Sequence, residues 1–200
     1  HLIEGKLENS KSNISKNLVK LLNLNLNNLD TENTIFSSKT DFIFQIDRKL
    51  KFQNLKLLSK INFNQIIYKD EYNLSDYFPE VKKNFLLNNH DLNLKYEKNI
   101  LSVNGKGKIK IGNNFDKIEY FIIKKNKNLE FETDLNIKKT KIKNQKLFKS
   151  NFPLTKDYID LKNHNLNIKY KNKKLYLTGE GGIRLEEEFD NIQYFIIKKK

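Results

Sequence analysis

His90 and His164 are the two side chains in this sequence best suited to chemistry, and each follows an asparagine, Asn89 and Asn163. An imidazole can ligate a metal or act as a general base, but a metal site needs three or four converging ligands. Neither histidine has patterned carboxylates around it, and the chain contains no cysteine. Both are therefore expected to be turn histidines. Asp116 and Asp190 stand just before apolar runs, where an aspartate typically bonds its local turn backbone. Glu186-Glu187-Glu188 reads as a solvated turn. The stretches GKGKIKIG and GEGGIRL lack the strand-then-helix setting of a phosphate loop. Their glycines Gly105, Gly107, Gly179 and Gly181 lie inside alternating runs, which points to a bend or bulge rather than a ligand. No serine, histidine and aspartate recur at useful spacing. The chain reads as non-catalytic, without cofactor or metal.

Charge is the next candidate for function. Lys and Arg total 38 against 24 Asp and Glu, a formal net charge of +14. Arg48 and Arg184 are the only arginines, and the lysines spread along the whole chain. Nucleic-acid interfaces favour arginine forks and gather charge on one face, so no nucleic-acid partner is expected. Alanine is absent, and Lys, Asn, Ile and Phe abound, as AT-rich codons would dictate. The absence of cysteine excludes disulfides and zinc-thiolate sites. Apolar runs such as Tyr120-Phe121-Ile122-Ile123 are too short for a spanning helix, so any membrane anchor is expected elsewhere.

An internal repeat organises these residues. Residues 78 to 126 and 152 to 200 align without a gap at an offset of 74, with 23 of 49 positions identical. Repeats of this length are supersecondary units that stack on their neighbours. The expected divisions are a degenerate N-terminal segment (1–39), a degenerate repeat end and connection (40–77), one repeat (78–151) and a shorter second repeat (152–200). Leu50 and Phe52 are taken as counterparts of Leu129 and Phe131, at a different offset. The chain has no methionine, and after Asn126 the first copy runs on through KNLEFETDLNIKK while the second stops at Lys200. It is expected to be an excerpt of a longer array.

Within the repeats the hydrophobic period is two, the signature of strands with one apolar and one wet face. The apolar positions are Leu92, Leu94, Tyr96, Leu101, Val103, Ile109, Ile111, Ile118, Tyr120, Ile122, Leu129 and Phe131 in the first copy. In the second they are Leu166, Ile168, Tyr170, Leu175, Leu177, Ile183, Leu185, Ile192, Tyr194 and Ile196. Short polar turns separate the runs, so neighbouring strands should be antiparallel. The expected fold is all-β: an extended, twisted antiparallel sheet of repeated meanders of about four strands, curled into an open groove. IEYFII and IQYFII break the alternation, with Phe121 and Ile123 apolar on the second face. A loop or the Phe152-Pro153 segment is expected to cover that back, the alternative being a contact with a partner.

The pattern of an FP lead-in, NH-x-LN-[LI]-KY, a strand ending in G-x-G, and FD-x-I-x-YFIIKK resembles the AsmA-like family of TamB- and YhdP-type proteins of Gram-negative bacteria. The resemblance spans residues 78 to 200 best. It implies a long β-groove with an apolar inside, belonging to inner-membrane-anchored proteins that cross the periplasm and take part in phospholipid transport to the outer membrane. The implied partners are phospholipid acyl chains, held by the apolar positions above, and further repeats of the same chain. The family has no catalytic residues to carry over. Alternatives from the residues alone are a repetitive structural or adhesin-like β protein and an outer-membrane β-barrel, whose apolar face would point outward.

Overall fold

The computed structural model describes residues 1–13, 30, 33–69, 74–76, 78–81, 84–126, 128–143, 157–184 and 187–199. Ten strands form one sheet in the order of the sequence: β1 (Leu2–Asn13), β2 (Ile35–Ile46), β3 (Phe52–Lys69), β4 (Asn84–Glu97), β5 (Ile100–Lys110), β6 (Phe115–Lys125), β7 (Asn128–Lys143), β8 (Tyr158–Lys171), β9 (Lys174–Arg184) and β10 (Phe189–Lys199). Every neighbouring pair is antiparallel. The sheet does not close, and β1 and β10 are its edges. A 3-10 turn (Leu74–Asp76) is the sole helical element among the described residues. No helix among them is long and apolar enough to cross a membrane.

The repeat is visible strand by strand. Moving β4, β5 and β6 by 74 residues gives the bounds of β8, β9 and β10. Two-residue hairpins join β4 to β5 through Lys98 and Asn99 (φ 52° and 61°) and β8 to β9 through Asn172 and Lys173 (φ 53° and 60°). Two consecutive positive φ values give the turn whose twist matches that of the flanking strands. Asparagine takes one of the two left-handed positions in each turn, where its side chain is tolerated.

The N-terminal part joins the same sheet. The expected boundary at 39/40 falls inside β2. The match of Leu50 and Phe52 to Leu129 and Phe131 also needs correcting. Leu57 faces Tyr96 as Phe131 faces Tyr170, and the two tyrosines are repeat equivalents. That register sets NLKLLSKINF (54–63) on NLEFETDLNI (128–137) at the repeat's own offset. Leu50 instead sits in the β2–β3 turn with φ 59° and is mostly exposed.

The last residues of β1, β3 and β7 and the first of β2, β4 and β8 lie at one end of the sheet, and the buried cluster of the described residues sits there. Ile137, Ile159, Leu161 and Ile183 are at most 3% exposed and pack with Phe85, Ile111, Leu135 and Ile142. Val81, from the β3–β4 connection, closes over this cluster, with Phe78 against it. Elsewhere, among the described residues, the sheet is a single layer. The chain's solvent-accessible surface is 14626 Å², against roughly 9,900 Å² for a compact protein of this mass.

Candidate functional site

Residues directly opposite one another on paired strands share a face, so the registers show where the apolar positions lie. Leu92, Leu94 and Tyr96 of β4 oppose Gly105, Val103 and Leu101 of β5. Val103, Gly105 and Gly107 oppose Ile122, Tyr120 and Ile118 of β6, which in turn oppose Phe131, Thr133 and Leu135 of β7. Phe131, Thr133 and Leu135 meet Tyr170, Ile168 and Leu166 of β8, and these meet Leu175, Leu177 and Gly179 of β9. Leu177, Gly179 and Gly181 meet Ile196, Tyr194 and Ile192 of β10. The expected apolar positions within the described strands thus occupy one face across seven strands.

That face has two zones. Ile109, Ile111, Ile118, Leu166, Ile183 and Ile192 belong to, or pack on, the buried cluster. Toward the hairpin end, Leu94, Tyr96, Leu101, Val103, Ile122, Phe131, Ile168, Tyr170, Leu175, Leu177 and Ile196 are half-buried, and Leu129 is 45% exposed. Leu185 lies outside the described residues. Leu57 and Ile61 of β3 extend the same face opposite Tyr96 and Leu92. Sequence reasoning missed them through the wrong offset. On β3, β2 and β1 the same face is mixed: the Thr40 and Ser59 hydroxyls lie 2.7 Å apart, while Phe42 opposes Leu57 and Gly5, and Phe44 opposes Ile3.

The glycines allow an aromatic ring to lie flat across the neighbouring strand. The Tyr120 ring rests over Gly105, the Tyr194 ring over Gly179 and the Phe42 ring over Gly5. A Cβ at Gly105 or Gly179 would collide with the tyrosine. The glycines therefore serve a close approach by the chain's own side chains, rather than the bend expected from sequence. His90 fills the same role over Gly107, and His164 packs against Gly181. Each histidine stacks on its tyrosine, with ring centroids 5.9 Å apart for His90 and Tyr120 and 5.6 Å for His164 and Tyr194.

The histidines are strand residues rather than turn residues, and both are 0% exposed. Each follows an asparagine in the left-handed region, Asn89 at φ 49° and Asn163 at φ 48°. The pair makes a bulge, because the register slips between Asn88 and Asp91 and between Lys162 and Asn165. The extra residue turns the imidazole onto the apolar face. Burial holds both histidines below the ordinary 6.5, opposed by the Asn88 backbone and Asp91 carboxylate at His90 and by Glu180 at His164. Burial also pushes Tyr120 and Tyr194 up to about 12. His164 Nε2 and Tyr194 Oη are 3.0 Å apart, so a neutral pair can share one hydrogen bond.

These shifts set a direction for stability. The unfolded chain takes up protons at both histidines as pH falls through 6.5, while the folded chain resists. Stability from this source is intact above 6.5 and declines below it, by at most about 1.4 kcal/mol per pH unit for each histidine. Asp116, raised by burial, acts oppositely: its contribution is full below 3.8 and fades as pH rises through its folded value. The urea midpoint should therefore drop between about pH 7.5 and about pH 5.5, and His90→Phe should flatten the drop. Equal midpoints at the two pH values would contradict neutral burial.

Asp116 also departs from expectation. Its carboxylate does not bond the local turn; its Oδ1 accepts the backbone N–H of Lys138 across the β6–β7 pair at 2.8 Å. The second face of the sheet carries cross-strand polar ladders. Lys169 donates to Glu132 at 2.8 Å, Asn167 to Asp134 at 2.8 Å and Asn136 to Asn165 at 2.6 Å. Lys106, Lys108 and Lys110 are exposed there. Two open cavities of about 410 and 530 Å³ also lie on this polar face, the larger walled by Lys60, Asn62, Asp91 and Lys106. The back of the two-sided strands stays partly exposed. Phe121 is 42% exposed, Phe195 61% and Ile197 50%. Phe152-Pro153, the expected cover, lies outside the described residues.

Among the described residues no three of His, Cys, Asp and Glu are grouped to hold a metal. No family model matches the chain, and no curated protein or solved structure is significantly similar to it.

Proposed function

We propose that this chain is a non-catalytic segment of a lipid conduit between the inner and outer membranes of a Gram-negative bacterium. Its apolar face curls into a groove that holds phospholipid acyl chains. The observation that carries this is the half-buried apolar zone at the hairpin end of β4 to β10. No other strand or helix among the described residues is laid over it. A face of leucine, isoleucine, valine and aromatic side chains gains about 0.8 kcal/mol for each methylene group it buries, without regard to headgroup. Acyl chains supply methylene groups in a row, and strands in a row supply the length. The likeness of residues 78 to 200 to AsmA-like repeats points the same way, as does the lysine- and asparagine-rich opposite face, which suits water.

The protein should therefore leave the bacterial periplasm with lipid bound. Mass spectrometry of a solvent extract from protein purified without detergent should find phospholipid near stoichiometric amounts. Folded protein that carries no lipid above a soluble control would overturn the proposal. The apolar zone would then be the core of a structural β protein.

A further inference from the structure

The outer edge of β10 has a built-in counterpart, because β6 is the same strand 74 residues earlier and its equivalent edge is filled. There β7 pairs with β6 from Lys117↔Asn136 to Lys125↔Asn128. Asp116, completely buried, reaches across to the Lys138 N–H of β7. At β10 the equivalent Asp190 is exposed, and Phe195 and Ile197 are more exposed than Phe121 and Ile123. An edge strand presents unpaired backbone groups to any extended segment that fits them.

We propose that the β10 edge is a docking site for an extended segment with the chemistry of β7. Such a segment has apolar residues on one side, acidic and asparagine residues on the other, and a free backbone N–H placed for Asp190. The segment adds antiparallel, with its apolar side continuing the face of Ile192, Tyr194 and Ile196. The acidic side is better received at β10 than at β6. Glu119 faces Asp134 in the existing pair, a like-charge contact, whereas β10 has the neutral Gln193 at that position.

The probe is a fluorescein-labelled peptide with the sequence of residues 128–143, titrated with the intact chain. Saturable binding is expected, together with new hydrogen-exchange protection on β10. A peptide of the same composition in shuffled order should not bind. Asp190→Ala, an exposed site whose loss leaves circular dichroism unchanged, should weaken binding about tenfold by removing a charge-assisted hydrogen bond. Absence of saturable binding to folded protein would overturn the proposal, as would equal binding by the shuffled peptide or protection that avoids β10. If sedimentation shows the chain pairing head to tail through β1, and the peptide does not displace that contact, the occupant is a second copy and the proposal as stated fails.

Discussion

Aspartate at Val103 or Leu177 is expected to strip bound lipid from the protein by more than tenfold. Val103 lies between Leu94 and Ile122, and Leu177 between Ile168 and Ile196, all on the apolar face. A carboxylate there can stay hydrated only while the zone is empty. Covering it with acyl chains costs several kcal/mol, and each 1.4 kcal/mol is a factor of about ten in affinity. Both positions are half-buried rather than in the closed cluster, so the sheet itself should survive, with an unchanged circular dichroism spectrum. Lys106→Asp on the polar face should leave lipid retention unchanged and shift stability by less than about 1 kcal/mol. Full lipid retention by both apolar-face variants would show that this face does not hold lipid.

The largest loss of stability from a single methyl group is expected at Gly181. Its φ of +144° strains any side chain, and a Cβ there would stand 2.6 Å from the His164 Cα, a backbone atom that cannot swing aside. Gly181→Ala should cost about 3 kcal/mol or more. Gly105→Ala meets the Tyr120 ring instead, which can tilt, and should cost about 1–2 kcal/mol. Urea unfolding of the two variants side by side measures the difference. A Gly181→Ala protein within about 0.5 kcal/mol of the parent would mean that the bulge is not rigid.

The antiparallel strands were legible in the sequence because their alternation is regular and their turns are short. The second copy could be placed because 23 identities fix its offset. What stayed hidden depends on contacts across strands. Asn89-His90 looks like a turn because asparagine favours left-handed backbone, and in a bulge that preference operates within a strand. The pairing of Gly105 with Tyr120 joins residues 15 apart in sequence and shows only when β5 and β6 are set in register. Asp116 bonds a strand 22 residues away, which no local rule would reveal. Composition misled at β3, where abundant Leu and Lys allowed a false match, and only the Leu57↔Tyr96 pairing restored the common offset. Phe121 and Phe195 remain 42% and 61% exposed on the second face, and the segment expected to cover them, Phe152-Pro153, lies outside the described residues.

Photocrosslinking in cells tests the lipid-holding face most directly. A benzophenone amino acid would be placed singly at Val103, Leu177, Lys106 and Glu180, and the irradiated protein examined for covalently attached phospholipid. Lipid adducts at 103 and 177, on the half-buried apolar zone, and none at the exposed positions 106 and 180 are the expected result. Adducts at none of the four, or at all four alike, would contradict a lipid-holding apolar face.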